Sequence, residues 1–221
     1  MRWVSFVFVG VCLAGCPGAS PGTPDGNPGG DDGPAPGAST LRIAWALDNI
    51  GDIGDLVVPA TGYSLDEAKF RMENLHATLI TDPDNPATSK DEYKLRWTTD
   101  DEPDAIKFDN VPSGHYSSVV LQLDDSGGDK AFELHGHYND GADSWEIDSI
   151  NSLSISLDAS LDLLPDTDVT ITIEIGVAAA VNKVDFAAND DISDIDLIEM
   201  SAFRADLQNA FRFAGATPSP N

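Results

Sequence analysis

The chain has 221 residues, 38 acidic and 12 basic side chains, and a formal charge of −26. Length allows one large or two small domains, and a hydrophobic share of 41% is enough for a core. The charge excludes nucleic acid as a partner, which needs clustered Lys and Arg, and electrostatic docking on an anionic membrane. Two cysteines exclude a disulfide-dense scaffold and a four-cysteine zinc site.

Met1-Arg2-Trp3 forms a short positive start, and Val4 to Val11 is apolar. This is a secretory signal over residues 1–15, too short to span a bilayer as a stable helix. Its ending, Leu13-Ala14-Gly15-Cys16, resembles the lipobox of bacterial lipoproteins. The resemblance implies a diacylglycerol on the Cys16 thiol, cleavage before Cys16, and acylation of the new amine, with palmitate as the expected chain. Removing the signal takes away Arg2 alone among charged side chains, leaving 11 basic against 38 acidic groups, or −27. Several acyl chains, at about 0.8 kcal/mol per buried methylene, make a durable membrane anchor. Pro17 follows the cysteine where Asp would signal inner-membrane retention, which points to an outer-membrane lipoprotein.

Residues 16–39 read as the lipidated cysteine and a tether. From Pro17 to Ser39, six Pro and seven Gly fall among 23 residues, with no aromatic and nothing aliphatic larger than Ala. Such a segment cannot offset the entropy of ordering. Its r.m.s. reach is roughly 25–30 Å.

Residues 40–214 carry the signals of one domain. Leu41, Ile43, Trp45 and Leu47 alternate with smaller or polar residues. Ala68, Phe70 and Met72 alternate, and then Leu75, Ala77 and Leu79 alternate on the opposite parity. That switch predicts a β-bulge or bend at Glu73-Asn74. Tyr93, Leu95 and Trp97 mark a strand, and Ile106 and Phe108 a short one. Val119, Leu121 and Leu123 precede Asp124 to Asp129, which we read as a hairpin loop leading to Phe132 and Leu134. Trp145 and Ile147, then Leu153, Ile155 and Leu157, share one parity. Val169 to Val177 is the cleanest alternation in the chain.

Leu197, Met200, Phe203, Leu207 and Phe211 follow a helical period instead, which predicts a helix over about 194–212 with Ser193 as its N-cap, the alternative for its final residues being a last strand at Phe211-Arg212-Phe213. Residues 215–221 read as a disordered tail. The expectation is an all-β domain: an antiparallel β-sandwich of the immunoglobulin or transthyretin Greek-key kind, with eight to nine strands and one C-terminal α-helix.

Phe108-Asp-Asn-Val-Pro-Ser-Gly-His-Tyr116 resembles a turn of many secreted bacterial sandwiches. Pro112 and Gly114 suit the second and fourth turn positions. Tyr116 looks like a tyrosine corner, whose phenol bonds a neighbouring backbone; its parity requires an irregularity at Ser117-Ser118. The order of lipobox, tether, N-terminal strand, this turn, a Thr/Ile-rich strand and a final helix ending Phe-Arg-Phe is similar to an uncharacterised family of bacterial lipoprotein domains. That family implies no activity, so no catalytic residue is carried over.

His135-Gly-His137 is the most ligand-like pair, since residues two apart on a strand share a face. Zinc needs three or four converging ligands, so we read two solvent-face histidines, with His115 pointing away from them unless an irregularity at Ser117-Ser118 intervenes. Calcium suits the charge, and five acidic loops offer carboxylates: at Asp82 and Asp84, Asp100 to Asp104, Asp124 to Asp129, Asp140 and Asp143, and Asp190 to Asp194. None has the twelve-residue EF-hand spacing. Trp45, Trp97 and Trp145 lie on apolar parities, so they read as core rather than sugar platforms. No G-x-S-x-G, HExxH, Walker or GxGxxG pattern is present, so no enzyme is expected and no catalytic, cofactor or metal residue is assigned.

The reading is a non-catalytic, membrane-anchored binding or structural module of the cell envelope, with Cys16 as its modified residue. Its partner is an envelope protein or a glycan, and the charge favours a monomer. The rivals are a calcium-dependent adhesion or glycan-binding module, and a sandwich hydrolase.

Overall fold

The computed structural model describes residues 38–47, 63–84, 88–98, 100–125, 128–138 and 142–218. All belong to the second of two units, Pro34–Asn221. The signal, Cys16 and the tether up to residue 37 lie outside the described residues.

The described chain is β-rich and forms two sheets. The smaller sheet holds β1 (Ala38–Leu47), β4 (Ile106–Pro112), β9 (Asp168–Ile175) and β11 (Phe211–Pro218), in the order β11-β9-β1-β4. The larger holds β2 (Ser64–Leu79), β3 (Lys90–Trp97), β5 (Gly114–Leu123), β6 (Phe132–Tyr138), β7 (Asp143–Ser149), β8 (Leu153–Leu163) and β10 (Asp191–Ile192). Two helices follow β9: α1 (Val177–Val181) and α2 (Leu197–Ala210). The expected all-β sandwich with a C-terminal helix is what forms. Among the described residues it has eleven strands rather than eight or nine, and β1–β9 and β7–β10 pair in parallel.

Alternation decides which face each strand buries. β8 buries every second residue from Leu153 to Leu163 and turns Ser and Asp outward. β2 does the same on both sides of a break, burying Ala68, Phe70 and Met72, then Leu75, Ala77 and Leu79. The break lies where the parity switch placed it. Asn74 adopts φ 53°, and the register with β5 shifts between Glu73 and His76. The two sheets meet through rings such as Phe70 and Phe211, 5.9 Å apart and nearly perpendicular. Trp45, Trp97 and Trp145 are all buried.

The tyrosine corner is present. Tyr116, 1% exposed, donates from its hydroxyl to the Pro112 carbonyl at 2.8 Å. The β5–β8 register shifts between Tyr116 and Ser118, which lets Tyr116 face inward with Val119 and Leu121. The same shift turns His115 outward against Asp162 at 2.6 Å, the outcome expected if the chain is irregular at Ser117-Ser118.

Four other expectations are corrected. Asp124 to Asp129 is not a hairpin loop. β5 and β6 both run antiparallel to β2, β5 at Leu79 to Met72 and β6 at Phe70 to Ser64, so they follow one another along it. The chain leaves β2 where Asp124 N–H donates to the Arg71 carbonyl, and returns where Arg71 N–H donates to the Ala131 carbonyl. α2 begins at Leu197 rather than Asp194, because the Asp194 carboxylate is occupied by the Ser149 hydroxyl and the Ile150 N–H, both at 2.7 Å. Leu197 is therefore exposed, while Met200, Phe203 and Leu207 form the buried stripe. The helix ends at Ala210 because Phe211 takes up an extended backbone and pairs with Ile175. β11 then runs to Pro218, into the segment read as a tail, and β1 begins at Ala38, inside the segment read as tether.

Tyr116→Phe should lower stability by about 1 kcal/mol, read as a lower urea midpoint at unchanged slope, since one partly buried hydrogen bond is lost. Gly136→Ala should cost about 3 kcal/mol or more in the same assay. A methyl group there would overlap the Ser64 carbonyl and the Trp145 indole that covers the glycine.

Candidate binding face

The outward face of the larger sheet gathers charge in an order set by strand register. On β2, the outward residues are Glu67, Lys69 and Arg71; on β3, Lys94 and Arg96; on β6, Glu133, His135 and His137. Lys69 stands opposite Arg96, and Arg71 opposite Lys94. Like charges directly across a strand pair destabilise it unless something lies between them. Here a carboxylate lies between each pair. Glu67 meets Lys69 at 2.9 Å and Arg96 at 2.7 Å. Asp129, from the excursion between β5 and β6, meets Arg71 at 3.0 Å and Lys94 at 2.8 Å. Arg71 also reaches Glu92 at 2.8 Å, and Lys130 reaches Asp148 at 2.6 Å.

These side chains line an open groove of about 600 Å³. Five of the chain's 12 basic residues border it: Lys69, Arg71, Lys94, Arg96 and Lys130. The surface is otherwise dominated by acid, so this gathering is the strongest departure from the average composition among the described residues.

Next to the groove the face turns acidic. His135 stands between Glu67 on β2 and Glu146 on β7, and Glu146 stands opposite Asp191 on β10. His135 Nε2 lies 2.8 Å from Glu133 and 3.9 Å from Glu146. His137 pairs with Asp66. Both histidines face solvent and share a face, as the alternation predicts. Glu67, Glu133 and His135 each offer a ligand atom, all within 4.8 Å of one another. The Lys69 ammonium already bonds both carboxylates, so it takes the place a metal cation would occupy.

Burial raises the Glu67 carboxyl, but hydrogen bonds from Lys69 and Arg96 outweigh it and hold the pKa below its ordinary value. At Glu133, bonds from His135 and Lys69 outweigh burial in the same way. At Asp129 the bond from Lys94 comes first, and the carboxyl is again held low. Asp194 is held low against burial by the Ser149 hydroxyl and the Ile150 amide. Of the acidic loops considered for calcium, Asp124 to Asp129 and Asp190 to Asp194 thus each commit a carboxylate to internal partners. Asp140 lies outside the described residues.

No protein-family model and no curated protein matches the sequence. Among solved structures the chain is similar to MbnP from Methylosinus trichosporium. The identity is 9%, the match covers 65% of this chain and 76% of that one, and the TM-score is 0.35. A likeness at that level carries no argument about function.

Two tripeptides, Lys69-Phe-Arg71 and Lys94-Leu-Arg96, held the signal for the groove. Each places two cations on one strand face around a buried residue. Neither tripeptide by itself carries the register that brings the two together.

The lowered carboxyl pKa values give a stability contribution that is full above the ordinary value of 4.5 for Glu and fades as pH falls below it. Acid titration of stability should therefore fall less steeply between about pH 4.5 and 3 in a Glu67→Gln/Glu133→Gln variant than in the wild type. Parallel curves would show that these pairs contribute nothing. Calcium and magnesium at equal millimolar concentration should raise Tm alike, by screening the net charge. A rise specific to calcium would show acidic loops converging on an ion.

Proposed function

We propose that the protein is a lipid-anchored, non-catalytic binding or structural module of the cell envelope. Cys16 carries the lipid at the outer membrane, and the Pro/Gly-rich segment after it spaces the β-sandwich from the surface. The observation that carries the reading is Leu13-Ala14-Gly15-Cys16 directly after a short apolar run. The open, ion-paired face of the larger sheet supports a binding role, because its charged groups are arranged for surface recognition and are already engaged with one another. The groove on this face is open rather than enclosed, which suits surface recognition.

The test is fractionation in the native host. Wild-type protein should sediment with outer membranes, and Cys16→Ala should be soluble or remain as uncleaved precursor. Inhibition of the lipoprotein signal peptidase should likewise leave the precursor. Normal membrane fractionation of Cys16→Ala would overturn the anchoring.

A further inference from the structure

We propose that the groove over β2 and β3, bounded by Gly128 to Lys130, is a docking site for a short acidic peptide segment, and that Asp129 holds part of that site as an internal competitor. The inference deepens the binding-module reading and rests on it for its biological setting. It is independent of the lipid anchor, because the groove is formed by the sandwich alone.

Three observations carry it. First, two pairs of cations, Lys69 with Arg96 and Arg71 with Lys94, lie side by side in register on a chain of net charge −26. Two residues of strand separate the pairs, which is roughly 7 Å. An extended peptide with acidic side chains at every second residue presents carboxylates at the same repeat. Secondly, each pair already holds a peptide carboxylate, Glu67 in one and Asp129 in the other, at 2.7–3.0 Å. The geometry therefore accepts Asp and Glu side chains. Asp129 is more than half exposed, as are Lys94 and Arg96, and an incoming carboxylate would take over its bonds to Lys94 and to the nearly buried Arg71, so the exchange leaves no charge unpaired. Thirdly, among the described residues the one aromatic side chain bordering the groove is Phe70, which is 1% exposed and offers no face on which a sugar could stack. That favours a peptide over a uronic-acid glycan. The acidic surface beyond the groove repels a long polyanion, which limits the ligand to a short segment.

The test uses the full chain, purified in detergent, and a fluorescently labelled eight-residue peptide of alternating Thr and Glu, read by anisotropy at low salt. The wild type should bind this probe, while the matching Thr/Gln peptide should not. Asp129→Asn should bind it roughly two- to fivefold more tightly, because the competing carboxylate is removed. Lys94→Gln/Arg96→Gln should weaken binding by about fivefold or more while keeping the wild-type circular dichroism spectrum. Binding that is absent in both the wild type and Asp129→Asn, or unchanged in the double variant, would overturn the site. Equal binding of oligogalacturonate would overturn the peptide assignment. The fractionation of Cys16→Ala is read separately, so failure of the anchor and failure of the groove are distinguishable.

Discussion

The solvent face of the larger sheet depends on how the chain is held at Arg71. Its backbone N–H and C=O bind Ala131 and Asp124, the two ends of the excursion between β5 and β6. Its guanidinium, nearly buried, binds Asp129 within that excursion and Glu92 on β3. The line continues sideways. Ala131 N–H donates to the Ser149 carbonyl, the Ser149 hydroxyl donates to Asp194, and Arg204 of α2 donates to the Ser149 hydroxyl at 2.9 Å. One row of hydrogen bonds thus ties β2, the excursion, the β7–β8 junction and α2 together. A buried charge with two carboxylate partners and a buried, fully engaged hydroxyl are strongly placed, because breaking either leaves an unpaired polar group inside.

The consequences run outward from that row. Because the chain leaves β2 at Asp124 and returns at Ala131, β5 and β6 share one long partner strand. Glu133 and His135 then fall beside Lys69 and Glu67, and the excursion carries Asp129 over the cations of β2 and β3. A two-residue hairpin in place of this excursion would instead set β5 against β6 and scatter these side chains. The charged face is a product of topology as much as of composition.

Much of this was legible in the residues and some was not. Alternation fixes which face a strand buries, so the core positions, the solvent-face histidines and the break at Asn74 could all be read directly. The Tyr116 corner was legible because a turn with Pro and Gly leaves few places for its phenol. Strand partners were not legible. Nothing local in Asp124 to Asp129 distinguishes a hairpin from an excursion, since the difference lies in Arg71, more than fifty residues away. The parallel pairing of β1 with β9 and the start of α2 were hidden for the same reason. Asp194 looks like a first-turn residue until Ser149 is placed beside it. The cationic groove needed the β2–β3 register, which neither Lys-x-Arg tripeptide contains by itself.

Native-state hydrogen exchange tests the central claim, that the Arg71 row organises this face. The amides of Arg71 and Ala131 should be protected to nearly the global unfolding free energy, while those of Gly128 and Lys130 exchange rapidly. Exchange of the Arg71 and Ala131 amides at the rate of the excursion itself would contradict the account, because the row would then open without the sheet.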